Sequence, residues 1–255
     1  MTALTVASWN LLDGGTSNGD DTRLRRQLRL LADLEPGVAM LQECQHWNRG
    51  YFRLLHLAER ILGMRGFLVK SNHDGCHLGL FIRESAGLCV TAQRHDRRRP
   101  YWHAVARIEA ELEGYPDPLT LVSAHFAPAS PAIRLAEAEA FRLIVKNSPG
   151  PVIAAGDWNA VPTDHPAPPP QAAGDPIAAR VLDTSAAAAL EDAGLADAGA
   201  IAGDATPTGH APLPYRCDRI YTTLPAAAVT AYQAITTADG ESDHRPVTAT
   251  FDLAS

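Results

Sequence analysis

Lysine is nearly missing from this 255-residue chain. Of its 22 basic residues 20 are arginine, and 29 acidic residues leave a formal charge of −7 at pH 7. That balance excludes polyanion binding by bulk charge. It leaves a phosphate substrate open, because a bound divalent cation inverts the local field. Cysteine is scarce as well. Cys44, Cys76, Cys89 and Cys217 form no C-x-x-C pair and no dense framework, which excludes a disulfide-stapled scaffold and reads as reduced thiols in a cytoplasmic protein. No apolar run approaches the 18 or so residues of a membrane span. No basic segment followed by an apolar one precedes residues 4–9, so no signal peptide is expected. A nucleophile-elbow serine, a reactive-cysteine motif and a solenoid repeat are all lacking. The nucleophile expected of any hydrolysis is therefore water.

What the chain does have is short apolar runs punctuated by polar ends. Its length and 46% hydrophobic content allow one large domain with a sizeable core, and a single domain over residues 1–255 is expected. Val247-Thr248-Ala249-Thr250-Phe251 alternates as a half-buried strand does. Ser242-Asp243-His244-Arg245-Pro246 stands just before it, so an acid and an imidazole sit where a loop enters a sheet. Loops held by a rigid scaffold commonly carry chemistry, yet one such pair is also an ordinary polar loop. The same punctuation recurs along the chain. A strand over 4–9 ends at Asn10. A buried strand over 38–41 is followed by Gln42-Glu43, where the charge is either a solvated strand end or a ligand. A strand over 119–123 delivers His125, one over 151–155 leads into Gly156-Asp157-Trp158-Asn159, and Asp218 opens the strand that holds Ile220 and Tyr221.

Between these runs the spacing of Leu24, Leu28, Leu31 and Leu34 predicts a helix, capped by Asp20, Asp21 or Thr22, and residues 52–62 predict another, stopped by Gly63. Ser130-Pro131 starts a third with Leu135, Ala138, Phe141 and Val145 as its buried face. Residues 101–112 read as one long strand. Residues 162–176, with six prolines, read as an irregular surface excursion, 183–193 as an Ala-rich helix and 204–215 as a polar loop. His73 and His77 fall in a polar loop. Residues 94–99 hold four arginines, read equally as a solvated hairpin tip or a phosphate-contacting loop.

The polar set is thus Asn10, Glu43, His125, Asp157, Asn159, Asp218, Asp243 and His244. It offers carboxylates and amides but no cysteine or multiple-histidine ligand pattern. Hard oxygen donors of this kind suit Mg2+, Mn2+ or Ca2+ rather than a structural zinc. Glu43 and Asp243 are the best direct ligands, with Asn10 as a neutral helper. His125 and His244 are suited to bind or protonate an anionic oxygen, and Asp218 to hold one imidazole in the right tautomer.

Taken in order, Trp9-Asn10, Leu41-Gln42-Glu43, Ser123-Ala124-His125, Gly156-Asp157-Trp158-Asn159, Asp218-Arg219-Ile220-Tyr221 and Ser242-Asp243-His244 resemble the motifs of the endonuclease/exonuclease/phosphatase (DNase I-like) family. The resemblance runs from Trp9 to Pro246. It implies a four-layer α/β/β/α sandwich of two mainly antiparallel sheets flanked by helices, with the site at the rim of the sheets. By position it assigns Mg2+ to Glu43 with Asn10 and Asp243 nearby. Asp157 would orient or deprotonate the water, Asn159 would hold water or phosphate, and His244 paired with Asp218 would stabilise the phosphate or protonate the leaving oxygen. His125 would match the second histidine of the DNase branch. Several members carry an Asp two residues after the first Asn; Leu12 stands there in this chain, with Asp13 one further on.

The leading expectation is a Mg2+-dependent phosphodiesterase, a nuclease acting on DNA or RNA, with Arg97, Arg98, Arg219 and Arg245 contacting the substrate. The alternative is a phosphatase or phosphodiesterase for a small phosphorylated metabolite or lipid headgroup, its pocket walled by the 162–176 and 204–215 segments. A silent binding protein is a third reading, disfavoured because such a protein has no chemical need for the full polar set.

Overall fold

Two six-stranded sheets lie face to face with apolar side chains interleaved between them. The computed structural model describes residues 3–73, 75–166, 180–209 and 215–253. The first sheet is built from β1 (Ala3–Asn10), β2 (Val38–Gln42), β3 (Arg65–Val69), β4 (Leu78–Ile82), β11 (Val229–Ala234) and β12 (Val247–Asp252), in the order β11-β12-β1-β2-β4-β3. The second contains β5 (Leu88–Gln93), β6 (Val105–Leu112), β7 (Leu119–His125), β8 (Val152–Asp157), β9 (Ala196–Asp197) and β10 (Asp218–Thr222), in the order β5-β6-β7-β8-β10-β9. Among the described residues the parallel pairs are β1 with β2 and β7 with β8. Each takes a helical crossover, as parallel neighbours must. The other pairings are antiparallel, as expected from the motifs.

Helices close the two outer faces. Helix α1 (Thr22–Asp33) and α2 (Arg53–Leu62) bury Leu24, Leu28, Leu31, Leu54, Leu57 and Ala58 against Trp9, Ala39 and Leu41 of the first sheet. Helix α3 (Pro131–Lys146) and α4 (Ser185–Asp192) bury Ala138, Phe141, Ala186 and Leu190 against Val122, Ala154 and Tyr221 of the second. A one-turn helix α5 (Ala198–Ala202) follows β9. The result is the α/β/β/α sandwich, with a core between the sheets and one under each helical layer. Trp9, Trp158, Phe141 and Phe251 are entirely enclosed, each such side chain contributing roughly 1.5–3 kcal/mol. No described helix is long and apolar enough to cross a membrane.

Local details depart from the sequence expectations. Residues 101–104 are not strand: β6 starts at Val105 and pairs with β5, a strand the sequence reading did not separate. The backbone N–H of Trp102 goes instead to the Glu137 carboxylate. Helix α3 is rotated by about one position from the expected face. Leu135 is exposed and Val145 only half-buried, whereas Arg134 and Glu137 are fully covered. The polar face is buried because α3 lies over loop backbone that needs partners: Arg134 donates to the Ala127 carbonyl, and Glu137 accepts from the Ala127 N–H. Ser130 caps the helix as expected, accepting from the Ile133 N–H. Asp21 occupies the N-cap of α1 but turns its carboxylate to Arg25 and Arg53, while Asp20 accepts from Thr22. Of the proline-rich excursion, residues 167–179 lie outside the described residues, as do 210–214 of the polar loop.

Gly156 pairs with Ala124 across the β7–β8 seam so closely that a Cβ would lie 1.9 Å from the Ala124 carbonyl oxygen. Both strands are central, so neither can yield cheaply. Gly156→Ala is expected to cost about 1–3 kcal/mol, read as a lower urea midpoint at unchanged slope. An unchanged midpoint would show that the seam relaxes freely.

Candidate active site

The site follows from strand parity. Along β1, Leu4 and Val6 enter the core between the sheets, and Asn10 is the last residue of that same parity. On β8 the inward set is Ile153 and Ala155, then Asp157; on β7 it is Leu119 and Leu121, then Ser123 and His125. On β10, which runs antiparallel to β8, Asp218 is inward with Ile220. The apolar inner face thus ends at one rim in polar residues. Register aligns them, since Asp157 pairs directly with His125 on one side and Asp218 on the other. A buried polar tier lies just beneath, where Gln42 bridges Ser8 to Ser123 across the two sheets.

Asp157 is the hub. Its Oδ2 accepts from Asn10 Nδ2 at 3.1 Å and lies 3.5 Å from His125 Nε2 and 3.7 Å from His244 Nε2. Its Oδ1 accepts from the Asn159 N–H at 2.9 Å. Asn10 also donates to Glu43 Oε1 (3.2 Å), while its own Oδ1 accepts from the Leu12 N–H. The Asp13 N–H supports Glu43 Oε2 at 3.1 Å. Glu43 and Asn159 both stand at positive φ, 56° and 50°, a conformation non-glycine residues seldom adopt and one that re-aims a side chain at a strand end.

His244 is held from three directions. Its Nδ1 lies 2.8 Å from Asp218 Oδ2, its N–H donates to Ser242 Oγ, and its carbonyl accepts from Trp9 Nε1 at 2.8 Å. Ser242 Oγ in turn donates to the Asn10 carbonyl. Burial alone would push the imidazole down, but the carboxylates of Asp218 and Asp157 outweigh it and hold it well above its ordinary value. With Nδ1 given to Asp218, Nε2 faces the cleft. Cys217 adds a buried thiol whose Sγ lies 3.2 Å from Asp218 Oδ2 and 3.6 Å from His244 Nδ1. Burial, with Asp218 beside it, pushes that thiol up to about 12, so it stands as a donor. Thr208 Oγ1 accepts from the N–H groups of both Cys217 and Asp218.

His125 is backed by a residue that the sequence reading missed. His103 stacks on it with ring centroids 4.3 Å apart and planes 24° from parallel. Ser71 donates its hydroxyl proton to the His73 carbonyl, which leaves His103 Nδ1 to donate to Ser71 Oγ at 2.9 Å. Burial, reinforced by His125, lowers His103 to about 2, so it is a neutral support. Next to it His73 stacks on Trp102 at 3.9 Å. His77 is buried and accepts from the Ser71 N–H. Glu137 braces this side by accepting from the Trp102 and Ala127 N–H groups, which flank His103 and His125 in the chain. The one available signal was a histidine two residues ahead of an apolar alternating run.

The remaining candidates are placed less centrally. Asp243 is exposed, with its Oδ1 3.3 Å from Ser242 Oγ. Arg219 does not reach the cleft. Parity turns it to the face opposite Asp218, where it is fully buried 5.3 Å from the Tyr221 ring. Arg245 is committed to a two-bond pair with Asp239, and Arg216, buried, to Asp197. Arg98 pairs with Asp96, and Arg97 is exposed on the same loop. Two donor sets of different chemistry result. Glu43, with Asn10 and Asp13 around it, presents oxygen and fits a hard divalent cation. Asp157, Cys217, Asp218 and His244 bring ligand atoms within 4.8 Å of one another.

The chain matches the endonuclease/exonuclease/phosphatase family over residues 7–244, and it belongs to that family. It is a metal-dependent phosphoesterase. No curated protein matches it. Among solved structures, a humanized D. rerio TDP2 superposes with a TM-score of 0.68 at 20% identity, covering 99% of this chain and 100% of that one. A family protein from Beutenbergia cavernae gives 0.70 at 16%, covering 99% and 72%. ANGEL2, described as a 2',3'-cyclic phosphatase, gives 0.70 at 13%, covering 99% and 96%. These likenesses are of fold.

Burial raises the Glu137 carboxyl from 4.5 to about 7, against the pull of its two N–H donors and of Arg134. The folded chain therefore holds this proton more tightly than the unfolded one. Its contribution to stability is complete below pH 4.5 and is lost as pH rises through about 7, a span of about 3 kcal/mol. The unfolding free energy of wild type relative to Glu137→Gln should fall by that amount between those two pH values. A flat difference would show that Glu137 titrates as an ordinary carboxyl.

Proposed function

We propose that this chain is a Mg2+- or Mn2+-dependent phosphodiesterase that attacks with water, with nucleic acid as its leading substrate. The observation that carries the reading is the convergence of Asn10, His125 and His244 on Asp157 Oδ2 at 3.1, 3.5 and 3.7 Å, with Glu43 tied in through Asn10. Glu43 would hold the cation, with Asp243 near it, and Asn10 would fix the spacing of the two carboxylates. When bound, the cation supplies charge neutralisation at the phosphate. Asp157 orients the water and takes its proton as the new P–O bond forms. His244, charged and aimed by Asp218, donates from Nε2 to the phosphoryl group and supplies the proton to the leaving oxygen as the old P–O bond breaks. His125 holds a second phosphoryl oxygen. Phosphoryl transfer needs positioning and charge placement more than covalent help, and this is what the residues provide.

A nucleic-acid substrate is supported by the family and by the likeness to a TDP2 structure described with a single-strand DNA product. One observation favours the second reading, a small phosphate ester. Among the described residues three of the four arginines expected to contact substrate are committed elsewhere: Arg98 and Arg245 are paired with acids and Arg219 is buried. The experiment is hydrolysis of plasmid DNA, single-stranded DNA, RNA, bis-p-nitrophenyl phosphate and p-nitrophenyl phosphate with Mg2+ or Mn2+, with and without EDTA. Glu43→Ala and His244→Ala should each slow hydrolysis by roughly 10^2–10^4-fold with circular dichroism showing the fold intact. Near-full activity in both would overturn the assignment. Metal-dependent hydrolysis confined to the small esters would select the second reading.

A further inference from the structure

Cys217 is a thiol in contact with Asp218 and His244, and the proposed hydrolysis makes no use of it. Its Sγ, Asp218 Oδ2 and His244 Nδ1 form a triangle with edges of 3.2, 3.6 and 2.8 Å. A tetrahedral zinc with bonds of about 2.3 Å to sulfur and 2.0–2.1 Å to nitrogen and oxygen separates its ligands by about 3.5 Å for the sulfur edges and 3.3 Å for the other. The three edges already agree to within about half an ångström. Asp157 extends the set to four ligand atoms within 4.8 Å of one another. A second feature points to a cation. Asp218 is completely buried, yet among the described residues its Oδ1 has no hydrogen-bond partner, so the carboxylate keeps a second oxygen to turn to an ion held at Oδ2, where unused polar atoms are costly.

Donor chemistry separates this cluster from the oxygen set at Glu43. Thiolate and imidazole select zinc or cobalt over magnesium. His244, partly exposed while the other three are buried, opens the cluster to the cleft. We propose that Cys217, Asp218, His244 and Asp157 form a second, inhibitory cation site for thiophilic divalent ions such as Zn2+. Coordination releases the protons of Cys217 Sγ and His244 Nδ1 to solvent and forms the S–metal and N–metal bonds. The ion occupies His244 Nδ1 and Asp218 Oδ2, the two atoms whose mutual bond aims the imidazole, so hydrolysis stops until a chelator removes it. The inhibition rests on the function proposed above; the binding does not.

The test uses Co2+ as probe on the full, metal-stripped chain in a Cys89→Ser background, since Cys89 is the exposed thiol. A near-ultraviolet thiolate-to-cobalt charge-transfer band should grow to one equivalent and be bleached by Zn2+. It should persist in Glu43→Gln and vanish in Cys217→Ser, with Zn2+ affinity down roughly 10–100-fold or more. No band in the parent protein, or a band that survives Cys217→Ser, overturns the site, and the parent spectrum decides this even if the variant does not fold. In Mn2+-supported hydrolysis, half-inhibition by Zn2+ should require a concentration higher by the same factor in Cys217→Ser. Cobalt binding with hydrolysis untouched by Zn2+ overturns the inhibition. A cobalt band in a protein that hydrolyses nothing upholds the site and overturns the function reading instead.

Discussion

One carboxylate oxygen, Asp157 Oδ2, organises the rim of this molecule. It is 2% exposed as part of its residue and faces an amide and two imidazoles that come from three other parts of the chain. A carboxylate taken out of water needs such partners, because an unpaired buried charge is expensive. The same partners suit it to the role proposed for it, orienting a water. With the amide of Asn10 and the imidazoles on one side and Asn159 on the other, its free lone pairs have few directions left. Preorganisation of that kind is what positions a reacting water at little cost at the moment of reaction.

The support behind the hub is uneven, and the unevenness has a physical basis. On the His244 side it is electrostatic: a fully buried aspartate against a charged ring. On the His125 side it is steric: a neutral His103 packed flat against the ring and fixed by Ser71 and the Glu137-braced backbone. A charged second imidazole could not occupy that stack without repelling its neighbour, so burial that keeps His103 neutral is a condition of the packing.

Much of this was legible in the sequence. The alternation of residues 247–251, the polar residue closing each apolar run, and the order of the motifs together placed the sheets, the rim and the residues that meet there. What escaped notice depended on other information. Arg219 looked like a substrate contact because it adjoins Asp218, but neighbours on a strand face opposite ways, and that rule would have turned it to the outer face, beside Tyr221. His103 and Glu137 could not be read, because their roles arise from the approach of residues 71–77 and of α3, contacts distant in sequence. The expected α3 face erred for a related reason: periodicity counts apolar residues, and it has no way to register loop backbone that must be hydrogen-bonded from above.

The order of strands in the first sheet has a consequence for how the chain is made. β1 lies between β2 and β12, so β1 leaves the ribosome well before β12 and waits for it before its second edge is paired. Until then a row of unpaired backbone groups, beside Leu4 and Val6, stays open to other chains. The closing strand carries Ser242, Asp243 and His244 at its head. The event that seals the sheet edge is therefore the same one that completes the rim, and a nascent chain is hazardous to its neighbours for as long as it is inert.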